Sequence, residues 1–175
     1  QPRSRGLGDV YKRQTIVSLE WVLDTAKLAK DSGLATLSVT NGYWSEESRE
    51  KLMPLIDAAN VDVKAFTDEF YRKVTKAPFL QPVLDTVIAL KRAGRHVEVT
   101  YLIIPTLNDS DEEIRAFARW VANEVGDDTP VHFSRFYPHF RMRDLPPTPV
   151  ETIKCTEVFK IFSTSQSRVE FFLNS

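Results

Sequence analysis

From Thr15 onward the apolar positions switch repeatedly between a helical and a strand period. Over residues 18–32, Leu19, Val22, Leu23, Ala26, Leu28 and Ala29 fall on one stripe, which predicts a helix ended by Gly33. Residues 36–40 read as a short strand. Ser45 then caps a helix, with Glu46 and Glu47 in its positive first turn. Residues 60–66 read as the next strand, followed by a segment with Phe70 and Tyr71. A helix is predicted over 81–93, with Pro82 in its first turn and Gly94 past its end. The longest strand covers 97–104. After a loop at 105–109, Ser110 and Glu113 form a capping box for a helix ending at about residue 125. A turn at 126–130 precedes a strand over 131–136 and a proline-rich loop over 144–149. A helix at about 150–165 and a strand over 169–173 complete the pattern. Strands alternating with helices predict an α/β fold whose strands are parallel and joined by right-handed crossovers.

Parallel strands buried on both faces read as continuous apolar runs. These do not. Ser38 and Thr40 alternate with Leu37 and Val39, and Asp62 and Lys64 with Val61 and Val63. Glu98 and Thr100 alternate with Val97, Val99 and Tyr101, and His132 and Ser134 with Val131 and Phe133. Side chains on a strand alternate between faces. Each strand is therefore expected to give its apolar side to the helices and its polar side to a barrel interior that holds a polar ligand. In such a barrel the site lies at the carboxyl ends of the strands. Those ends carry Thr40-Asn41-Gly42, Asp62-Val63-Lys64, the loop after Ile104, and the stretch from Arg135 to His139.

Composition narrows the functions. The formal net charge is −1, so no broad basic field is available for nucleic acid or an anionic membrane. No apolar run reaches membrane-spanning length and no signal-peptide pattern is present. The single cysteine, Cys155, excludes an internal disulfide and cannot by itself ligate an iron–sulfur cluster. It fits a cytoplasmic setting. The three histidines, His96, His132 and His139, lie on different segments, and no metal motif or glycine-rich phosphate loop occurs. No residue of this chain is therefore expected to ligate a metal.

The ends read differently from the middle. Residues 1–14 have no helical or strand period, and Asp9 to Gln14 resemble the translation of a transposase end used in sequencing libraries. They are expected to be a non-native stretch or a disordered tail, with the domain running from 15 to 175 and its segment 153–175 of uncertain frame. A truncated barrel would expose a sheet edge at the strand beginning near Thr36.

Asp62 and Lys64 are the most informative pair. Two charges inside a barrel cost several kcal/mol unless paired or ligand-bound, about that order for buried ions. Their spacing admits a plain ion pair inside the barrel. It equally admits a lysine that holds a ligand carboxylate, with Asp62 orienting it or accepting from a ligand amine. Asn41 serves as a turn residue or a ligand contact. Asn108 reads as part of a loop leading into a capped helix, and His132 as a satisfied interior histidine.

The motifs taken in order resemble a known family. They are Thr40-Asn41-Gly42-Tyr43, the run from Asn60 through Asp62 and Lys64 to Tyr71, Val99 to Pro105 with Asn108-Asp109, His132 to Pro138, and Asp144 to Pro149. Together they resemble the radical S-adenosylmethionine (SAM) member of the AmmeMemoRadiSam system, related to pyruvate formate-lyase activating enzymes. The resemblance implies a partial (β/α)₆ barrel without its N-terminal strands, which in full length binds a 4Fe-4S cluster and SAM. It implies reductive cleavage of SAM to a 5′-deoxyadenosyl radical that abstracts hydrogen from a substrate. It implies that Asp62 and Lys64 contact the methionine end of SAM, with Thr40 and Asn41 beside them. Thr100, His132 and Arg135 would line the SAM or substrate pocket. The family's CxxxCxxC loop is absent from this sequence, so the chain alone is expected to be inactive and to hold neither cofactor. The implied partner is a substrate, a protein of the same three-protein system among the possibilities. Two rival readings stand beside this one: a Schiff-base lyase using Lys64, and a non-catalytic half-barrel binding module.

Overall fold

The computed structural model describes residues 18–155 and 169–172. Residues 1–14 lie outside that range, as does most of the predicted helix beyond Cys155. The elements, in order, are α1 (Leu19–Asp31), β1 (Leu37–Thr40), α2 (Glu46–Leu52), β2 (Ala58–Asp62), α3 (Asp68–Phe70), α4 (Gln81–Arg92), β3 (His96–Ile103), α5 (Asp111–Trp120), β4 (Val131–Arg135), α6 (Val150–Cys155) and β5 (Val169–Phe172). α3 and α5 each run on into a wider π-type turn, Tyr71–Thr75 and Val121–Val125.

Local sequence accounts for most element ends. Ser45 Oγ accepts the Ser48 amide at 3.2 Å and starts α2. Thr67 Oγ1 accepts from Phe70 N and starts α3. Gly33, at φ 74°, lets the chain leave α1 with Leu34 N donating back to Ala29 O at 2.9 Å. The capping box at Ser110 is only half present. Ser110 Oγ accepts from Glu113 N, but the Glu113 carboxylate accepts from Phe66 N and Tyr101 Oη instead. Tyr101 is fully buried and Phe66 half-buried, so their donors need a protein acceptor and capture the side chain.

The five strands form one parallel sheet in the order β1-β2-β3-β4-β5. An unreversed order matters. With right-handed crossovers, each connecting helix falls on the same side, and among the described residues no helix covers the other side. A doubly wound sheet would reverse its order and cover both. This is therefore a partial barrel with a packed outer face and a bare inner face.

Burial agrees. Ala59, Val61, Val97, Val99, Tyr101, Ile103, Val131 and Phe133 point outward and are buried with Trp44, Leu52, Val83, Leu90 and Phe117. Phe117, Tyr101 and Phe133 pack as rings 4.9–6.4 Å apart, which locks α5 against β3 and β4.

Register corrects the expected faces of β1. Val39 lies opposite Asn60, which lies opposite Glu98. Thr40 lies opposite Val61, Val99 and Val131 in turn. Leu37 and Val39 therefore share the bare face and are 67% and 64% exposed, while Ser38 and Thr40 face the helices. Alternation separates two faces without saying which is inner; the pairing register decides that. β1 is the edge of the sheet among the described strands, as the sequence suggests.

α1 is joined to the sheet by Asp57, whose carboxylate accepts from Lys30 Nζ and from the Thr36 amide. These hydrogen bonds, that of Lys30 first, hold its pKa down to about 2. A carboxyl with a depressed folded pKa stabilises the fold fully above its unfolded value, and this is lost as pH falls through the folded one. The urea midpoint of Asp57→Asn is expected to lie below wild type at pH 6. The gap should close between about pH 4 and pH 2. A gap that stays constant over that range would show that the Asp57 charge is not what joins α1 to β1.

Candidate functional site

The bare face gathers its polar groups in rows set by the register. Asp62, Thr100 and His132 form one row across β2, β3 and β4. Asn60 and Glu98 form the row one step toward the strand starts. Lys64 lies one step past the end of β2, which stops at Asp62 and spans 58–62 where 60–66 was expected. The chain continues extended there, since Val63 N still donates to Thr100 O at 2.9 Å. Asp62 and Lys64 thus do share a side, and Lys64 Nζ donates to Asp62 Oδ2 at 2.8 Å. Their side chains are only 19% and 10% exposed. This is the geometry of an ion pair rather than of a free amine poised to attack a carbonyl.

Lys64 is placed by a buried network. Its amide donates to Tyr71 Oη at 3.2 Å, and its carbonyl accepts from Asn108 Nδ2 at 2.7 Å. The same Nδ2 donates to Leu102 O at 2.8 Å, and Asn108 Oδ1 accepts from Ile104 N at 2.6 Å. Asn108 therefore ties the end of β2 to the end of β3. Burial raises the Tyr71 phenol far above its ordinary range, so it stays neutral.

The other predicted site residues divide. Thr100 Oγ1 faces inward and donates to Asn60 Oδ1 at 2.8 Å. His132 faces inward, is buried, and its Nε2 meets Glu98 Oε2 at 2.8 Å. Asn41 is half-buried in the turn after β1, its Oδ1 accepting from Tyr43 N at 3.1 Å. Thr40 does not join them. It faces the helices, 1% exposed, and its Oγ1 accepts from Gly42 N. Gly42 itself, at φ 66°, has Val61 Cγ1 2.6 Å from where a Cβ would sit, so only glycine fits the turn.

Arg135 is also displaced from its expected place. It pairs with Ile103 on the outward-facing set, its Nε donates to Thr148 O at 2.8 Å, and its guanidinium lies 5.1 Å from the Tyr137 ring centre. Thr148 explains why. Its buried Oγ1 accepts from Phe136 N and donates to Ile103 O, so the proline-rich loop folds back onto the end of β4. His139 is exposed in the stretch between β4 and that loop.

Sequence reasoning placed Glu98 on the polar face but gave it no role; its contacts with His96 and His132 make it the hub of that face. From sequence, Asn108 and Thr148 are simply loop residues, because polar side chains in loops carry no local mark of their long-range bonds.

Among the described residues, no helix is long and apolar enough to cross a membrane. No group of three His, Cys, Asp or Glu side chains there could hold a metal ion.

Comparison with known proteins agrees with the sheet. A protein of Methanocaldococcus jannaschii, the uncharacterized MJ0808, is 41% identical over 149 residues, covering 85% of this chain and 43% of that protein. The pyruvate formate-lyase-activating enzyme of Clostridium pasteurianum is 29% identical over 110 residues, covering 63% of this chain and 45% of the enzyme. The chain thus spans about half the length of these relatives. A solved domain of a pyruvate-formate lyase-activating enzyme from Bacteroides vulgatus superposes with TM-score 0.71 at 12% identity, over 87% of this chain and 89% of that one. The pattern of the radical SAM superfamily matches residues 10–121. With that match over most of the chain, the chain belongs to the radical SAM superfamily.

Proposed function

We propose that this chain is the SAM-holding part of an activating-enzyme-like radical SAM protein of the AmmeMemoRadiSam kind, with Lys64 and Asp62 at the methionine end of SAM. The observation that carries this reading is the Asp62–Lys64 pair, nearly buried on the bare face at the carboxyl end of β2. A methionine end offers one carboxylate and one ammonium. Lys64 suits the first and Asp62 the second, each as a charge-assisted hydrogen bond. SAM and a 4Fe-4S cluster supply the one-electron chemistry when bound. The residues present fit SAM. They do not fit the cluster, because one cysteine cannot provide its thiolates. In this reading the chain's own residues bind and orient. Asn108 and Tyr71 fix the Lys64 backbone, Thr100 and Asn60 line the face beside Asp62, and Asn41 shapes the mouth. The substrate is a separate molecule, a protein of the same three-protein system being one candidate.

Titration calorimetry of SAM into the 175-residue chain tests this directly. The sequence alone leads to the expectation that this chain holds neither cofactor; the nearly buried Asp62–Lys64 pair revises that for SAM, and one saturable site is expected, weakened about tenfold or more in Lys64→Met and in Asp62→Asn. A charged hydrogen bond contributes about 1.5–3 kcal/mol, and about 1.4 kcal/mol is tenfold in affinity. Unchanged affinity in both variants, or no binding to the wild-type chain, would remove the proposed roles.

A further inference from the structure

Glu98 sits on the bare face between two imidazoles. Its Oε1 meets His96 Nε2 at 3.0 Å and its Oε2 meets His132 Nε2 at 2.8 Å. The side chains are 61%, 34% and 8% exposed from His96 through Glu98 to His132, so the three run from solvent at the start of β3 into the barrel interior. The hydrogen bonds from His96 and His132 hold the Glu98 carboxyl below its ordinary range.

Among the described side chains of this face, Glu98 is a carboxylate without a lysine or arginine partner. Asp62 is neutralised by Lys64. Thr100 and Asn60 are bonded to each other. Among the described residues, Glu98 contacts imidazoles only and meets no lysine or arginine. A carboxylate offers about four acceptor positions, and the two histidines take two. They also fix the plane of the carboxylate, which removes the ordering cost that a mobile glutamate would add to binding. A fixed carboxylate with acceptor positions to spare matches a cation that carries N–H donors, a guanidinium best of all because it can bind two oxygens at once.

We propose that Glu98, held by His96 and His132, is a recognition carboxylate for a cationic N–H group of the molecule bound on the bare face. The group is the amine or guanidinium of a substrate side chain; the ammonium of SAM, assigned above to Asp62, is the other source of the same chemistry, and the test separates the two. The inference rests on the reading of that face as the SAM and substrate chamber, and names the substrate's charge.

The test uses the 175-residue chain with n-butylguanidinium as probe and n-butylurea, its neutral counterpart, as control. Imidazole signals of His96 and His132 are followed by NMR at pH 7.5. The guanidinium is expected to shift both signals saturably, the urea not at all. The response should weaken at least tenfold in Glu98→Gln and survive in Glu98→Asp, which keeps the charge. Circular dichroism checks that each variant folds. An equal response in Glu98→Gln, or an equal response to butylurea, overturns the proposal. A parallel SAM titration separates the sources. If Glu98→Gln keeps SAM affinity but loses the guanidinium response, the cation belongs to the substrate; if it loses both, the cation is the SAM ammonium. No guanidinium response in a chain that binds SAM sinks this inference alone. A guanidinium response in a chain that fails to bind SAM sinks the SAM reading alone.

Discussion

Replacing Asn108 with leucine is expected to lower the unfolding free energy by about 3–5 kcal/mol, because three buried backbone groups lose their partner at once. Asn108 is 1% exposed. Its oxygen accepts from Ile104 N, and its nitrogen donates to Lys64 O and Leu102 O. Leucine nearly matches the volume, so the loss is not a cavity effect. It leaves one amide and two carbonyls without a bond, and each unmet buried group costs about 1–3 kcal/mol. Aspartate keeps the acceptor for Ile104 N but turns a carboxylate oxygen toward two carbonyls, so Asn108→Asp should recover none of the loss. Urea unfolding of the three proteins measures this. A cost below about 1 kcal/mol for leucine would mean that water reaches the freed groups, and the clamp between β2 and β3 would not be essential.

The second large effect is expected at Asp62 and Lys64, as non-additivity. Lys64→Met alone leaves the Asp62 carboxylate mostly buried without its cation. Removing one partner of a buried pair costs about 3–5 kcal/mol; the remaining exposure here lowers the expectation to about 2–3 kcal/mol. Asp62→Leu leaves Nζ in the same position and should cost a similar amount. The double variant removes both charges and is expected to unfold within about 1 kcal/mol of wild type. Singles that simply add in the double would show that the two charges are solvated independently. Such a result would weaken the reading that the fold holds this pair ready for a charged ligand.

Much of the architecture is written locally. The stripe from Leu19 to Ala29, the serines at 45 and 110, Gly33 and Gly94 mark helices where the structure has them. The alternation of β3 and β4 separates a polar from an apolar face correctly, because both faces of those strands are distinctive. Strand after helix predicts the parallel sheet, and the polar faces predict a wet interior. Asp62 and Lys64 are legible as a pair because two residues along an extended chain share a side.

The tertiary structure decided the rest, for one physical reason: hydrogen bonds between distant segments leave no local trace. Residues 37–40 alternate as clearly as β3, yet the register with β2 turns Val39 inward and Thr40 outward. Threonine tolerates the packed side because Gly42 N satisfies its hydroxyl. Arg135 is drawn to Thr148, and Glu113 to Phe66 and Tyr101, by unmet groups that only the folded chain brings near. Asn108 reaches back to Lys64, and Glu98 meets His132, across whole strand–helix units. The sequence by itself determined the elements, their order and the wet character of one face. Which side chains meet on that face was settled by register and by the demand that every buried donor and acceptor find a partner.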